Sequence, residues 1–426
     1  MRAVILAAGR GIRLWPLTEN RPKHMIPIAG KPIIQHIIQE LRAEGIRKIT
    51  IVINSFGEII KKYFAEGRTL EVNIDYIHQR KIQGTADAVA QLKDQIADER
   101  FILFYGDIYL SPRALREIVA ASSNMEFDAA IAAVDLPSQK NQYGVLKVED
   151  GYVRRIEEKP ECPLPTSLVN AGVYILDKRI FEGIKATRKS RRGEFELTDS
   201  ITYLVKSGLK VKAIPLDPDD WVDIGRPWDL LDANEKALKD LEPEVNGYVD
   251  NKATLVGPVT IEPEAKILSG AMIEGPVYVG QRTVIGPNCY IRPYTSLGQN
   301  VRIGNGCEIK NSIIMDNTKI PHQSYVGDSI IGENCNLGAG TITGNLRLDG
   351  RTIQMNIKGT MINSGRRKLG AIVGDHVSTG VNVNLMPGVR IGSGTSIGPG
   401  ITVYRDLPSN VMVKLEQEVT KIKRRH

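Results

Sequence analysis

Cysteine is scarce in this chain, with four in 426 residues. So few cysteines exclude a disulfide-stapled scaffold. Long hydrophobic runs are also missing. The opening MRAVILAAGRG is apolar only as far as Ala8 and then turns glycine-rich. That is too short for a spanning helix and has no signal-peptide cleavage region, so a cytoplasmic protein without a membrane partner is expected. Aromatic residues make up 6% of the chain, and no basic run is interleaved with them as single-strand nucleic-acid binders require. The net charge of +7 is therefore read as suited to phosphate-bearing small molecules rather than to nucleic acid. No GxxxxGK[ST] loop occurs, which excludes the commonest phosphate cradle. With only six histidines, each is informative.

A periodicity fills the C-terminal half. Leu255, Ile261, Ile267, Ile273, Val279, Ile285, Ile291, Leu297, Ile303 and Ile309 recur at every sixth position, and Val373, Thr379, Leu385, Ile391, Ile397 and Val403 resume the count. Small residues hold a second register two positions earlier: Val259, Ala265, Ala271, Val277, Thr283, Cys289, Thr295, Val301 and Cys307. A period of six fits neither the 3.6 of a helix nor the 2 of an isolated strand. Short strands joined by tight glycine- and asparagine-rich turns, stacked as a solenoid, satisfy it. The pattern resembles the hexapeptide repeat of left-handed parallel β-helices, in which three hexads make a triangular coil. Between Ile320 and Ser329 (IPHQSYVGDS) the count slips, and a loop projecting His322 and Tyr325 from a rigid rod is expected there.

The first 235 residues alternate short apolar runs (Ala3–Ala7, Lys48–Ile53, Phe101–Phe104) with helix-length amphipathic segments, the mark of an α/β domain with a mostly parallel sheet. After the first run comes LAAGRGIRLWPLTENRPKHMIPIAGKPII. Gly9 and Gly11 let backbone amides close on an anion, and Arg13 and Lys23 supply positive charge. Further along stand Gln79 and Gly84-Thr85, Gly106-Asp107 at the end of an apolar strand, Tyr143-Gly144, Glu157-Glu158-Lys159-Pro160, Asn170-Ala171-Gly172, and Asp223 in WVDIGRP. This ordered set resembles the sugar-1-phosphate nucleotidylyltransferase family, whose domain is Rossmann-like. The resemblance implies a nucleotide site at Leu6, Ala8, Gly9, Gly11, Gln79, Gly84 and Thr85. It implies a sugar-phosphate site at Tyr143, Gly144, Glu158 (or Glu157), Lys159 and Asn170. Mg²⁺ would sit on Asp107 and Asp223, with Arg13 and Lys23 acting catalytically on departing pyrophosphate.

The stretch EIKNSIIMDNTKIPHQSYVGDSIIGENCNLGAGTITGN resembles the acetyltransferase half of bifunctional N-acetylglucosamine-1-phosphate uridylyltransferases. The resemblance makes His322 the general base, since an ammonium must lose a proton before it can attack a thioester. It makes Arg292, Lys310, Tyr325, Asn345 and Arg351 the acceptor-binding residues, with Asn345 orienting the amine or the tetrahedral intermediate. Arg351 stands where the bacterial pattern has lysine, which bears on sugar preference. Gly340 and the basic Arg366, Arg367 and Lys368 of GRRKLG, which look more like the archaeal members, would meet acetyl-CoA.

Together these resemblances imply acetyl-CoA-dependent N-acetylation of glucosamine-1-phosphate, with galactosamine-1-phosphate a second acceptor, and uridylyl transfer from UTP, with dTTP the competing nucleotide. The assembly implied is a homotrimer or a dimer of trimers. The expected divisions are 1–235 for nucleotidyl transfer, 236–250 as linker, 251–410 for the β-helix and 411–426 as a basic tail. Two rivals remain. One is a monofunctional nucleotidyltransferase with a structural β-helix; the other is a non-catalytic scaffold like the related subunits of initiation-factor exchange complexes.

Overall fold

A computed structural model describes residues 1–96, 100–136, 142–160, 166 and 168–422. Packing divides the chain into two units, one of residues 1–11 and 21–240 and the other of residues 12–20 and 241–426. These bounds differ from those expected. Segment 12–20 packs with the C-terminal unit. The helix Pro227–Lys239 runs across the expected 235/236 boundary, and solenoid strands occur at Tyr248–Val249 and Met412–Val413. Residues 423–426 of the basic tail lie outside the described residues.

The first unit is built on a nine-stranded sheet. Arg2–Ala7 is central and pairs in parallel with Lys48–Ile53 on one side and Arg100–Tyr105 on the other. Asn73–His78 extends the parallel half. Leu168–Asp177 then enters antiparallel to Arg100–Tyr105, and the sheet is mixed from there on. Five of the six residues of Arg2–Ala7 are buried, as a strand covered on both faces requires. Helix Ile33–Ala43 shows one face, burying Ile33, Ile34, Ile37, Ile38 and Leu41. Helix Pro112–Ser122 begins at Ser111, whose hydroxyl accepts from Ala114 N at 3.2 Å, with proline at the first turn. The order of the central strands reverses around Arg2–Ala7. Open α/β sheets hold ligands at the carboxyl ends of strands on either side of such a point.

The second unit contains three stacks of parallel strands, of nine, eight and seven members. Each strand pairs with the one a coil further on. Ile267, Ile285 and Ile303 lie over one another at spacing 18, then Ile320 at 17. The aliphatic anchors from Ile261 to Val326 are essentially without exposure, and the small register from Val259 to Cys307 is equally buried. Cys335, two before the anchor Leu337, continues that register and is buried too. Burying each such aliphatic side chain is worth roughly 1.5–3 kcal/mol, and the repeat sums this over every coil.

The slip in the count lies elsewhere than expected. IPHQSYVGDS is no projecting loop: Lys319–His322 and Tyr325–Gly327 are regular strands of two stacks. The count loses one residue at two corners instead, between Ile309 and Ile314 and between Val326 and Ile331. These corners stack, because each leads from the eight-stranded stack into the seven-stranded one. The true interruption follows Thr343. Residues 344–371 leave the coil, form the hairpin Gln354–Ile357 with Thr360–Asn363, and return to the strand Ile372–Val373.

Segment 12–20 joins this unit through specific bonds. Glu19 accepts from Trp15 Nε1 at 2.6 Å, from Ser393 N at 2.9 Å and from Ser409 Oγ. The Arg390 guanidinium lies over the Trp15 ring at 4.8 Å.

Candidate functional sites

In the first unit the residues gather at the carboxyl ends of the central strands. Lys23 sits on a helical turn, Lys23–Met25, and its ammonium forms a close ion pair with Asp107, which follows the strand Arg100–Tyr105. Gly9 lies against this lysine: a Cβ there would sit 3.1 Å from Lys23 Cε, so a larger residue would press on the side chain. Asp223 arrives beside Asp107 because Trp221–Asp223 pairs antiparallel with Ile108–Leu110, placing Asp223 opposite Ile108, and Ile224 N donates to Asp107 O at 2.8 Å. One carboxylate thus lies just before the strand Ile108–Leu110 and the other ends its antiparallel partner, and the first already pairs with the Lys23 ammonium. Among the described residues no group of three or more metal-ligating side chains occurs. A hard octahedral ion that completes its shell with phosphate oxygens and water fits two protein carboxylates.

Gln79 is buried, and its Nε2 donates to Gly84 O at 3.2 Å and to Asp87 Oδ2 at 2.7 Å, closing the loop that carries Gly84 and Thr85. Thr85 Oγ1 accepts from Leu197 N at 2.9 Å, so part of its hydroxyl's capacity is structural. Leu6 and Ala8 are buried around the first turn.

The residues expected to meet the sugar phosphate come together around Glu158. Lys159 N donates to Tyr143 O, and Gly144 stands opposite Glu158 across the strand pair. Burial raises the Glu158 carboxyl above its ordinary range; Lys159 opposes this and Glu196 adds to it. Asn170 is occupied internally. Its Nδ2 donates to Tyr174 Oη at 2.6 Å, and its Oδ1 accepts from Gly172 N at 2.9 Å. Sequence reasoning missed Arg192, Glu196 and Thr198. Arg192 reaches Glu158 at 3.7 Å and Glu196 at 3.3 Å, and Thr198 Oγ1 donates to Glu158 at 3.2 Å. The visible signal was the charged run RRGEFELTD leading into the helix Leu197–Lys206. Arg13 lies in segment 12–20, exposed and packed with the second unit, so its role rests on the resemblance alone.

In the second unit the remaining residues are divided among one strand face, the corner leading into it and the insertion. His322 is exposed at the edge where its strand turns toward Tyr325–Gly327, and Gly340 N, one coil on, donates to its carbonyl at 3.3 Å. At the opposite edge, the two shortened corners and the departure point of the insertion stack Asn311, Asp328 and Asn345 at intervals of 17. Asp328 is 2% exposed. It accepts from Lys310 Nζ at 3.1 Å, Asn311 Nδ2 at 2.8 Å and Asn345 Nδ2 at 2.6 Å. Tyr325 reaches across the face, and its Oη accepts from Asn345 Nδ2 at 3.0 Å. Gly327 permits this: a Cβ there would collide with Tyr325 Oη and the Asn345 amide. Arg292, one coil before Lys310, pairs with Glu308 at 2.9 Å. Arg351, Arg366, Arg367 and Lys368 all lie on the insertion, where Ile353 N donates to Arg366 O and Leu346 bridges to Lys368.

The fold and the first-unit site define a nucleotidyltransferase, and the family model described as "Nucleotidyl transferase" matches residues 2–240. A second model, "GMPPB C-terminal domain", matches residues 273–365. The chain is 44% identical over 420 residues to "Bifunctional protein GlmU" of Methanocaldococcus jannaschii, covering 98% of each chain. It is 44% identical over 410 residues to "Bifunctional sugar-1-phosphate nucleotidylyltransferase/acetyltransferase" of Sulfurisphaera tokodaii, covering 96% of this chain and 98% of that one. Among solved structures, a putative glucose-1-phosphate thymidylyltransferase from Bacillus anthracis matches with TM-score 0.51 at 28% identity, over 55% of this chain and 94% of that one. The chain belongs to the family of bifunctional sugar-1-phosphate nucleotidylyltransferase/acetyltransferases and is an enzyme, a transferase.

Proposed function

We propose that this enzyme acetylates glucosamine-1-phosphate from acetyl-CoA and then couples the product to UTP, releasing pyrophosphate, as a cytoplasmic step in making UDP-N-acetylglucosamine. The observation that carries this reading is the gathering of Lys310, Tyr325, Asp328 and Asn345 on one strand face whose other edge bears His322. A purely structural β-helix has no use for a buried carboxylate holding a lysine at a solvent-facing corner.

In acetyl transfer, His322 takes a proton from the sugar ammonium, and the freed amine nitrogen attacks the thioester carbonyl. A C–N bond forms, the attacking nitrogen gives its second proton to solvent, the tetrahedral centre collapses with cleavage of the C–S bond, and the thiolate leaves as a thiol with the proton that His322 held. Lys310, Arg292 and Arg351 meet the sugar phosphate, while Gly340 and Arg366–Lys368 meet acetyl-CoA. The groove for acetyl-CoA is completed by a second copy in a homotrimer.

In nucleotidyl transfer, an oxygen of the sugar phosphate attacks the α-phosphorus of UTP in line, and the bond to the β-phosphate oxygen breaks. Such reactions need positioning and charge neutralisation more than covalent help. Lys23 and Arg13 balance the charge of the leaving pyrophosphate, and Glu158, Lys159 and Asn170 orient the sugar. Asp107 and Asp223 would hold Mg²⁺, which supplies electrostatic neutralisation of the phosphates. Lys23 must then release Asp107 and turn to the phosphates.

The test is a matrix of four sugar-1-phosphates against UTP, dTTP, CTP and GTP, each with and without acetyl-CoA. Thiol release with glucosamine-1-phosphate and pyrophosphate release with N-acetylglucosamine-1-phosphate and UTP are expected. Pyrophosphate release without any acetyl transfer would leave the monofunctional reading. Absence of both would leave the scaffold.

A further inference from the structure

The amide of Asn345 can point one way only. Its Nδ2 donates to Asp328 Oδ2 at 2.6 Å and to Tyr325 Oη at 3.0 Å, which commits both amide hydrogens. A carboxylate accepts and cannot donate, so Asp328 excludes the flipped amide, which would set oxygen against oxygen. Asn345 therefore turns its Oδ1, an acceptor, away from Asp328. The same carboxylate ties down Lys310 at 3.1 Å and takes its third hydrogen bond from Asn311 at 2.8 Å. Asn311 has its own Oδ1 buried without a hydrogen-bond partner, so it anchors Asp328 through its Nδ2 alone. Asn311 and Asp328 both adopt positive φ, 44° and 50°, as the turn residues Asn288, Asn300 and Asn317 of the full-length corners also do.

We infer that Asp328 is a positioning residue for acetyl transfer: it fixes Lys310 for the sugar phosphate and sets Asn345 as a hydrogen-bond acceptor for the amino group. This rests on the acetyl-transfer reading above and narrows it. An ammonium group offers only donors, so orienting it needs acceptors on more than one side. His322 supplies the one that removes the proton, and Asn345 Oδ1 supplies another that turns the nitrogen lone pair toward the thioester. Donation from Asn345 to a tetrahedral oxyanion is excluded by the same bonds. The arrangement also discriminates between acceptors. A sugar with a hydroxyl in place of the amine brings one hydrogen to two waiting acceptors and leaves one unsatisfied.

The test uses the full-length enzyme with Asp328→Asn, Asn345→Asp and the double exchange D328N/N345D. Asparagine tolerates φ near +50° better than most residues, so D328N keeps the corner. Its single amide nitrogen replaces one of the two acceptor oxygens, so it confronts either the Asn345 or the Asn311 amide donor to donor and removes the charge that holds Lys310. Acetyl transfer to glucosamine-1-phosphate is expected to fall about 100-fold in kcat/KM in D328N, with KM raised through Lys310 and kcat lowered through Asn345. N345D sets two carboxylates together and is expected to fall comparably. The double exchange restores one donor facing one acceptor and still presents an oxygen to the amine, so recovery of about tenfold or more over either single variant is expected. A merely structural role for Asp328 would move the melting temperature without this reciprocal rescue. D328N within about threefold of wild type, or an exchange no better than the poorer single variant, overturns the inference. Wild-type enzyme that transfers no acetyl group overturns the acetyl-transfer reading with it, so the two failures are told apart.

Discussion

The two units of this enzyme build their sites by different means. In the first, each residue proposed for the site comes from a different local structure: a helical turn for Lys23, a strand end for Asp107, a short antiparallel strand for Asp223, and the entry to a helix for the Arg192 cluster. Nothing repeats, and the sheet has to close before the residues meet. In the second, one local structure is used over and over, and the site arises where it departs from itself. Arg292, Lys310, Asp328 and Asn345 come from successive coils at the same edge, and removing one residue from two corners turns a repeated turn into a stacked Asn–Asp–Asn column. A periodic scaffold thus needs only small departures to gather polar groups, because its period already aligns them. An aperiodic one must align them through the whole fold.

The strongest way to break this comparison is to cross the two activities. Lys23→Ala should lower pyrophosphate release by about 10³-fold while leaving acetyl transfer unchanged, and His322→Ala should lower acetyl transfer by about 10²–10⁴-fold while sparing pyrophosphate release. Loss of both activities in either variant would show that the sites do not work separately. Stability sharpens the contrast next. In the solenoid, Ile285→Ala and Ile303→Ala occupy equivalent, fully buried positions. Each should cost about 2–5 kcal/mol, with closely matched values by chemical denaturation.

Acid should separate the units as well. Burial, with Lys23 assisting, pushes His24 down to about 3, and burial pushes His36 down to about 4. Both histidines are neutral in the folded first unit, whereas the unfolded chain binds their protons near 6.5. Their contribution is therefore complete above pH 6.5 and is lost as pH falls from there toward the folded values. For His36 this amounts to about 3 kcal/mol across that window. Melting of the first unit should fall steeply between pH 6.5 and 4, and His36→Gln should flatten the slope. The smallest effect concerns thiols. Cys289, Cys307 and Cys335 are buried, and burial pushes the Cys289 thiol up to about 12. A disulfide reagent at pH 8 should leave these three unmodified until denaturant is added.

Much of this was legible beforehand. The period of six states the solenoid directly, since it fits neither a helix nor an isolated strand, and the family motifs supply Lys23, Asp107, Asp223, His322 and Lys310 as the residues proposed for the two sites. The slip in the count was also legible, but its place was not. The eye goes to the unusual residues of IPHQSYVGDS, whereas the missing residues fall in the bland corners that follow Lys310 and Gly327. The mixed half of the first sheet escaped because strand direction follows from long-range pairing, which a local apolar run does not encode. Arg192 and Glu196 escaped because a charged run is ordinarily a solvated face.

By itself the sequence determined the two architectures, the chemistry of the residues at their sites and the spacing of 17 between Asn311, Asp328 and Asn345, because these depend on period and residue type. Only the tertiary structure decided that this spacing is a column of hydrogen bonds, that Asp328 holds Lys310, and which end of the Asn345 amide faces outward. Those are matters of donors meeting acceptors across coils, and they have no value until the coils stack.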